Sequence, residues 1–445
     1  MPYDRQGNPL TGATPEAAAA FDAGVHAFNV YRGDPIAHAD AALAAAREFV
    51  MAHLLKAHLL ALATEPAAAA EARRVLAHVR SLPMSEREAG HVAALDHVLA
   101  GDWSKGARTL DVVSMHHPRD LLALQSGHLM DFLRGNARNL RDRIARALPA
   151  WSAEVPGYSF VLGFQAFGLE ECGAYARAEA AGREAVDREP RDCWAHHAVA
   201  HVMEMQGRAA DGVGWMQARE PHWDGDDNFF KGHNWWHKAL FHLDLDDPAA
   251  ALALYDGAVR RGASGLAMDL VDAAALLWRL HAAGVDVGHR FAEVADAWQV
   301  HADGKLYPFN DWHAAMAYLG AGRVGEVDRL IAAYETAPAA GEVGRWQAET
   351  GLPLLRGFRA FATGRYADAV ADLHAGRAIA NGFGGSHAQR DVIDWTLTEA
   401  AIRGGLGAEA VAVAYERVAL KPHSPVNRAF LKRATAIQAP AAAAA

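Results

Sequence analysis

Histidine is the residue type that stands out in this chain of 445 residues. The sequence contains 24 histidines, more than ordinary composition provides. An imidazole titrates near neutral pH, so a group of imidazoles can move protons during a reaction or bind a metal ion. The first question is therefore whether the histidine spacing brings these rings together.

One histidine group lies in the segment CWAHHAVAHVMEM. His197, His201 and Glu204 follow at intervals of four and three residues, so a helix presents all three on one face. An alternative interpretation is that these three residues and His237 bind a divalent metal ion, because zinc accepts imidazole and carboxylate ligands. The string H-x-x-x-H-x-x-E differs from the H-E-x-x-H motif of zinc proteases. We therefore assign no cofactor and keep the metal as an alternative.

The pattern N-x-W-H occurs twice, in HNWWHKALFH and 76 residues later in FNDWHAAMAY. Its amide and imidazole groups donate and accept hydrogen bonds, which suits a polar small molecule. The marked residues are His233, Asn234, Trp236 and His237 in the first copy and Asn310, Asp311 and His313 in the second. With His197, we expect them to bind a substrate or to act on it.

A further candidate is the segment GGSHAQRD. Two glycines before a predicted helix leave backbone N–H groups for an anion, and Arg390 adds a bidentate donor for a carboxylate. His387 and Gln389 complete this substrate-binding candidate. Asp272, in AMDLVDAAALLWRL, is an acidic candidate on another predicted helix.

Helix pairs are the elements that must position these side chains. Hydrophobic residues make up 51 % of the chain, and its many alanines favour helix. A degenerate repeat recurs at spacings of 34, 39 and 41 residues, with small residues where two helices cross and glycine and an aromatic at their turn. Residues 158–191 carry the pattern at Ala166, Gly173, Tyr175, Ala178, Ala185 and Pro190.

This repeat predicts an all-α fold, a tetratricopeptide-like superhelix (solenoid) of about seven or more helix pairs. Residues 1–36 are expected to form an N-terminal segment with a capping helix. Residues 37–434 are expected to form one continuous array, and residues 435–445 are a low-complexity tail.

Charge and composition exclude several partners. The net charge of −10 and the lack of a basic run disfavour nucleic acid. No apolar stretch approaches the roughly 18 residues that a membrane helix needs, and the polar N-terminus lacks a signal peptide. Two cysteines cannot build a disulfide framework, so we expect a cytoplasmic protein. Monomer and homodimer both stay open.

The chain resembles the family of tetratricopeptide repeat protein 38. The resemblance rests on five segments, and it covers nearly the whole chain from about residue 37 to 434. The segments are WAHHAVAHVMEMQGR, HNWWHKALFHLD, MDLVDAAALLWRL, FNDWHAAMAYLGAGR and GGSHAQRDV. It implies a superhelix of helix pairs, and it implies no reaction, because the family's biochemical role is uncertain.

Two function classes are compatible with these observations. The first is a small-molecule site inside the superhelix, an enzyme of hydrolase or lyase type that uses acid–base chemistry. Its predicted catalytic residues are His201, His237, His313, Glu204 and Asp311. The second is a scaffold that binds a peptide in its concave groove. Histidine, acidic residues and tryptophan at groove positions favour the first class over the second.

Overall fold

The structure, a computed structural model, describes residues 2–438, and within them the chain is all-α without a β-strand. The first helices are α1 (Pro15–Val30), α2 (Pro35–Ala45), α3 (Val50–Leu62), α4 (Pro66–Val79), α5 (Glu86–Leu99), α6 (Trp103–His116), α7 (Leu121–Leu133), α8 (Ala137–Ala147), α9 (Tyr158–Glu170), α10 (Tyr175–Arg188), α11 (Cys193–Met205) and α12 (Ala209–Trp223).

The remaining helices are α13 (Lys231–Asp244), α14 (Pro248–Leu254), α15 (Ala267–Ala282), α16 (Arg290–Trp298), α17 (Pro308–Gly320), α18 (Val324–Thr336), α19 (Gly341–Trp346), α20 (Leu352–Ala362), α21 (Tyr366–Arg377), α22 (His387–Arg403), α23 (Gly407–Leu420) and α24 (Pro425–Gln438). Short 3-10 segments lie at Leu148–Ala150 and Ala380–Phe383, and π-turns lie at Tyr255–Val259 and Gln347–Gly351.

The chain forms two compact units. The first unit comprises the described residues up to Val202, together with Arg219–Asn234 and Ala340–Glu342. The second comprises Met203–Ala218, Trp235–Ala339 and the described residues from Val343. Helix α11 therefore begins in the first unit and ends in the second.

A glycine turn joins two consecutive helices at several places in the described part of the chain. At Gly173 the backbone has φ 75°, and the N–H of Ala174 donates to the carbonyl of Leu169, which closes α9. Gly364 closes α20 with the same φ and the equivalent bond. This left-handed conformation suits glycine, which explains the periodic glycines of the sequence. The turn recurs at Gly101, Gly135, Gly207, Gly284, Gly322 and Gly405.

Neighbouring helices pack in sequence order within the first unit. Each helix from α5 to α10 contacts the next, and α3 also contacts α1, α5 and α7. Small residues allow the close crossings, since a Cβ at Gly182 of α10 would lie 2.6 Å from a methyl of Val199 in α11. Ala178 and Ala185, predicted at the crossing, are fully buried. The predicted fold class, helix pairs of tetratricopeptide type, is confirmed.

Helices α15, α17, α20 and α22 form an inner layer of the second unit. Each contacts the next, and α15 also contacts α22. Their partners α16, α18, α21 and α23 pack against them. Every residue of α17 from Pro308 to Leu319 is buried. Burial of its large side chains contributes about 1.5–3 kcal/mol each, so this layer is a packed core.

The chain ends bear on two predictions. The predicted boundary at residue 36 falls inside α2, and residues 435–438 of the predicted tail belong to α24. Residues 439–445 lie outside the described residues, and the predicted domain limits stay predictions. Among residues 2–438, no helix combines the length and apolar character needed to cross a membrane.

Candidate functional site

Helix α11 carries the first predicted histidine group. It begins after Asp192, whose carboxylate accepts a hydrogen bond from the N–H of Ala195 and so caps the helix. Burial raises the pKa of Asp192 to about 8. The helix then places His197, His201 and Glu204 at the predicted spacing, and all three are buried.

Three imidazoles meet in the first unit. The rings of His197 and His201 have centroids 4.4 Å apart, and His233 of α13 lies 4.9 Å from His197. A ring nitrogen of each of these three histidines lies within 4.8 Å of a ring nitrogen of the other two. Glu170, the last residue of α9, places Oε2 3.9 Å from Nδ1 of His201. We call His197, His201 and His233 the imidazole cluster.

Aromatic side chains surround the imidazole cluster. Phe167 stacks on His197 with centroids 5.2 Å apart, and Trp194 lies 4.8 Å from the same ring. Phe230 contacts His233 at 4.9 Å. The shell is apolar, so it separates the imidazoles that it covers from bulk water.

A second pair of glutamate and histidine lies in the second unit. Oε2 of Glu204 is 3.4 Å from Nδ1 of His237, and its Oε1 is 3.6 Å from the ammonium of Lys421. Trp236 is fully buried beneath the guanidinium of Arg279, which lies 5.7 Å from its ring. The predicted catalytic residues Glu204 and His237 are therefore brought together.

Further charges belong to the same unit. Burial lowers the pKa of Arg279 to about 10, although the carboxylates of Asp391, Glu204 and Asp272 act in the opposite direction. Asp272 is buried on α15. Arg417 donates to the carboxylate of Asp391 at 2.9 Å. Positive and negative groups thus compensate each other here.

The predicted residues of α17 are engaged in local hydrogen bonds. The carboxylate of Asp311 accepts from the hydroxyl of Tyr334 at 2.7 Å and from the N–H of Gly304 at 3.2 Å. Its burial raises its pKa to about 7. His313 bonds through Nδ1 to the carbonyl of Phe309, and burial lowers its pKa to about 3. Asn310 is buried in the first turn of the helix.

The GGSHAQRD segment forms the start of α22. Ser386 and Gln389 make a capping box, so the Gln389 side chain closes its own helix. Arg390 donates to the carbonyl of Gly385. His387 is half-buried at the first helical position. The predicted substrate-binding roles of His387, Gln389 and Arg390 stay predictions, as do those of His197, His233, Asn234, Trp236, Asp272 and Asn310.

Sequence reasoning missed Glu170, Lys421 and Arg279. Glu170 had a signal, because it precedes Glu204 by 34 residues, the shortest repeat spacing in the chain. Lys421 had none, since its approach to Glu204 depends on packing between segments far apart in the sequence. The predicted metal ligands divide between the units, with His197 and His201 in the first.

No family model matches the chain. It is similar to a chain in the crystal structure of the APC/C heterotetramer Cut9–Hcn1, with 13 % identity, a TM-score of 0.43, and coverage of 94 % of this chain and 76 % of that one. It is also similar to human IFIT1 as a dimer with m7Gppp-AAAA, with 12 % identity, a TM-score of 0.42 and 95 % coverage of each chain. Similarity at this level says nothing about function.

Proposed function

We propose that the chain is an interaction scaffold of tetratricopeptide type that binds a segment of a partner protein. The observation that carries this proposal is the packed inner layer of the second unit. Helix α17 is buried from Pro308 to Leu319, and both Asp311 and His313 are used for hydrogen bonds within the unit. Side chains committed in this way stabilise the fold. The outer helices and the loops then provide the surface for a partner.

The partner segment is inferred to be basic. The chain has a net charge of −10, which attracts a segment rich in lysine and arginine and speeds its association. At the surface, Asp328 of α18 pairs with Arg359 of α20, and Glu335 of α18 pairs with Arg356 of α20. Such surface pairs are weak and exchange readily with a charged partner.

The test uses the full chain. Chemical cross-linking in its host cells, followed by mass spectrometry, identifies partner segments, and calorimetry measures their binding to the purified chain. We expect cross-links on outer helices, and an affinity that falls about tenfold between low and physiological salt. An Asp311→Asn variant, altered only in the packed layer, is the matched control and should bind equally well. Binding that is independent of salt and lost in Asp311→Asn would contradict the proposal.

Acid–base chemistry on a small molecule is the second candidate. It is favoured by the pair of Glu204 and His237, since a carboxylate beside an imidazole orients a general base. The test incubates the chain with a metabolite mixture and follows consumption by mass spectrometry. Turnover lost in His237→Gln but kept in His242→Gln supports this candidate. His242 is a suitable control, because it lies on the same helix and pairs with Asp247 near the surface.

Membership of the tetratricopeptide repeat protein 38 family is also proposed. It is supported by the five segments described above, which fall on α11, α13, α15, α17 and α22. An alignment of family members that keeps His201, His237 and Asp311 in the same register would support it. Unrelated residues at these three positions would argue against it.

A further inference from the structure

The imidazole cluster of the first unit has the composition of a transition-metal site. His197 and His201 come from one face of α11, and His233 comes from the start of α13. Their ligand nitrogens lie within 4.8 Å of one another, and all three side chains are buried. Two separate helices therefore deliver three nitrogen ligands to one point.

We propose that His197, His201 and His233 bind a divalent transition-metal ion, with Zn²⁺ as the best fit. Zinc takes imidazole nitrogen at about 2.0–2.1 Å in tetrahedral geometry, so its ligand nitrogens lie roughly 3.3 Å apart. The ligand nitrogens lie within 4.8 Å of one another, so they need to approach by at most about 1.5 Å to reach that value. Three imidazoles are also a ligand set that zinc uses with a fourth, exchangeable position.

Glu170 is a positioning residue for this metal. Its Oε2 lies 3.9 Å from Nδ1 of His201, one of the three proposed ligands. Metal-bound histidines commonly present their other nitrogen to a carboxylate, which fixes the ring and raises its basicity. Glu171, which follows Glu170, adds a second carboxylate within 4.8 Å and increases the attraction for a cation.

The apolar shell also suits a metal. Phe167, Trp194 and Phe230 cover the rings, so water competes poorly for the ion. Another histidine pair of the first unit has a different arrangement. His58 bonds to His91 at 2.9 Å, and His91 bonds to Asp120 at 3.0 Å, so these rings form a hydrogen-bonded chain. That pair therefore differs from the imidazole cluster, whose ligand nitrogens gather around one point.

The experiment uses the full chain without a histidine tag. Protein freed of metal with a chelator is titrated with Zn²⁺, and bound metal is counted by mass spectrometry. We expect one tightly bound equivalent and a rise in Tm of at least about 3 °C. Cobalt should give the visible bands of a tetrahedral site. A His201→Gln variant should lose both effects, whereas His301→Gln, at a buried histidine of the second unit, should keep them.

Two further measurements keep the proposal testable. If His201→Gln does not fold, X-ray absorption on the zinc-loaded wild type should show imidazole nitrogens at about 2.0–2.1 Å. Glu170→Gln should weaken zinc binding by roughly 10–100-fold without changing its stoichiometry. Failure of the wild type to bind zinc or cobalt above the level of His201→Gln would overturn the proposal. Partner binding by the metal-free chain tests the scaffold separately.

Discussion

In both units a glutamate of one helix lies near a histidine of the next helix but one. In the first unit Glu170 of α9 lies 3.9 Å from His201 of α11. In the second unit Glu204 of α11 lies 3.4 Å from His237 of α13. The two glutamates are 34 residues apart, so the repeat itself produces the pairing twice.

The surroundings of the two pairs differ in charge. In the first pair, ring nitrogens of His197 and His233 lie within 4.8 Å of a ring nitrogen of His201. In the second pair, the ammonium of Lys421 lies 3.6 Å from Glu204. The guanidinium of Arg279 lies over the ring of Trp236, the residue before His237. Carboxylates beside imidazole nitrogens form a ligand set that attracts a cation, whereas a carboxylate beside an ammonium already has a positive partner. A repeated pair thus takes its chemistry from side chains that the repeat does not specify.

Two carboxylates at helix starts show the same contrast in their pKa values. Burial raises the pKa of Asp192 in the first unit to about 8. In the second unit burial also acts to raise the pKa of Asp391. There Arg417, Lys421 and Arg279 outweigh burial and hold the pKa at about 2. For Asp192 burial dominates, whereas the carboxylate of Asp391 is surrounded by three cations.

The largest expected effect is the pH dependence of Asp192→Asn. The folded-state pKa lies above the ordinary value of 3.8, so the folded chain keeps a proton that the unfolded chain has released. The stability that Asp192 contributes is therefore full below about pH 4 and is lost as pH rises through 8. Asparagine keeps the helix cap and removes the titration. The wild type should lose on the order of 3 kcal/mol relative to the variant between pH 5 and 8, measured by urea unfolding.

Asp391→Asn is the matched control for this measurement. Its folded-state pKa is lowered, so its contribution is present above about pH 4 and is lost as pH falls toward 2. The variant should therefore be less stable than the wild type at neutral pH, and the difference should vanish in acid. If the unfolding free energies of both variants changed with pH in the same way, the contrast between the two units would be contradicted.

The next effect compares the two glutamates directly. In Glu204→Gln, the ammonium of Lys421 loses a carboxylate in a buried setting, which should cost about 2–3 kcal/mol of unfolding free energy. Glu170→Gln, in metal-free protein, loses the carboxylate that lies near His201 and should cost about 1 kcal/mol. Urea unfolding of both variants measures the difference. Equal costs would show that Lys421 does not distinguish the two pairs.

The repeat pattern predicted the fold well, because its signals are local. Gly173 and Gly364 adopt the positive φ that a turn between paired helices requires, and such glycines are visible in the sequence. The same period identifies Glu170 as the counterpart of Glu204. His197, His201 and Glu204 lie on one helix at the spacing that the sequence shows, since spacing decides which residues share a helical face.

The partners of each side chain were not predictable, because they depend on packing between distant segments. The N-x-W-H pattern made His237 and His313 equivalent in sequence. In the structure His237 faces Glu204, whereas His313 bonds to the carbonyl of Phe309 on its own helix.

Zinc should distinguish the units by location. Hydrogen exchange of the metal-free chain is compared with and without Zn²⁺ at about ten times its Kd, which stabilises the bound state by about 1.4 kcal/mol. Slower exchange is expected in α9 and in α11 up to Val202, and no change is expected in α17 or α22. Protection spread evenly over both units would mean that zinc does not act through the imidazole cluster.

The smallest expected effect is a difference between Arg417 and Arg390, two arginines of the second unit. Arg417 donates to Asp391, so Arg417→Met should raise the pKa of Asp391, and stability should begin to fall at a higher pH during acidification. Arg390 donates to the backbone carbonyl of Gly385, so Arg390→Met should cost about 1 kcal/mol and leave the acid profile unchanged. Urea unfolding from pH 2 to 5 measures both. If Arg390→Met also shifts the acid profile, its guanidinium acts on carboxylates, and the predicted role of Arg390 as a clamp for an anionic substrate gains support.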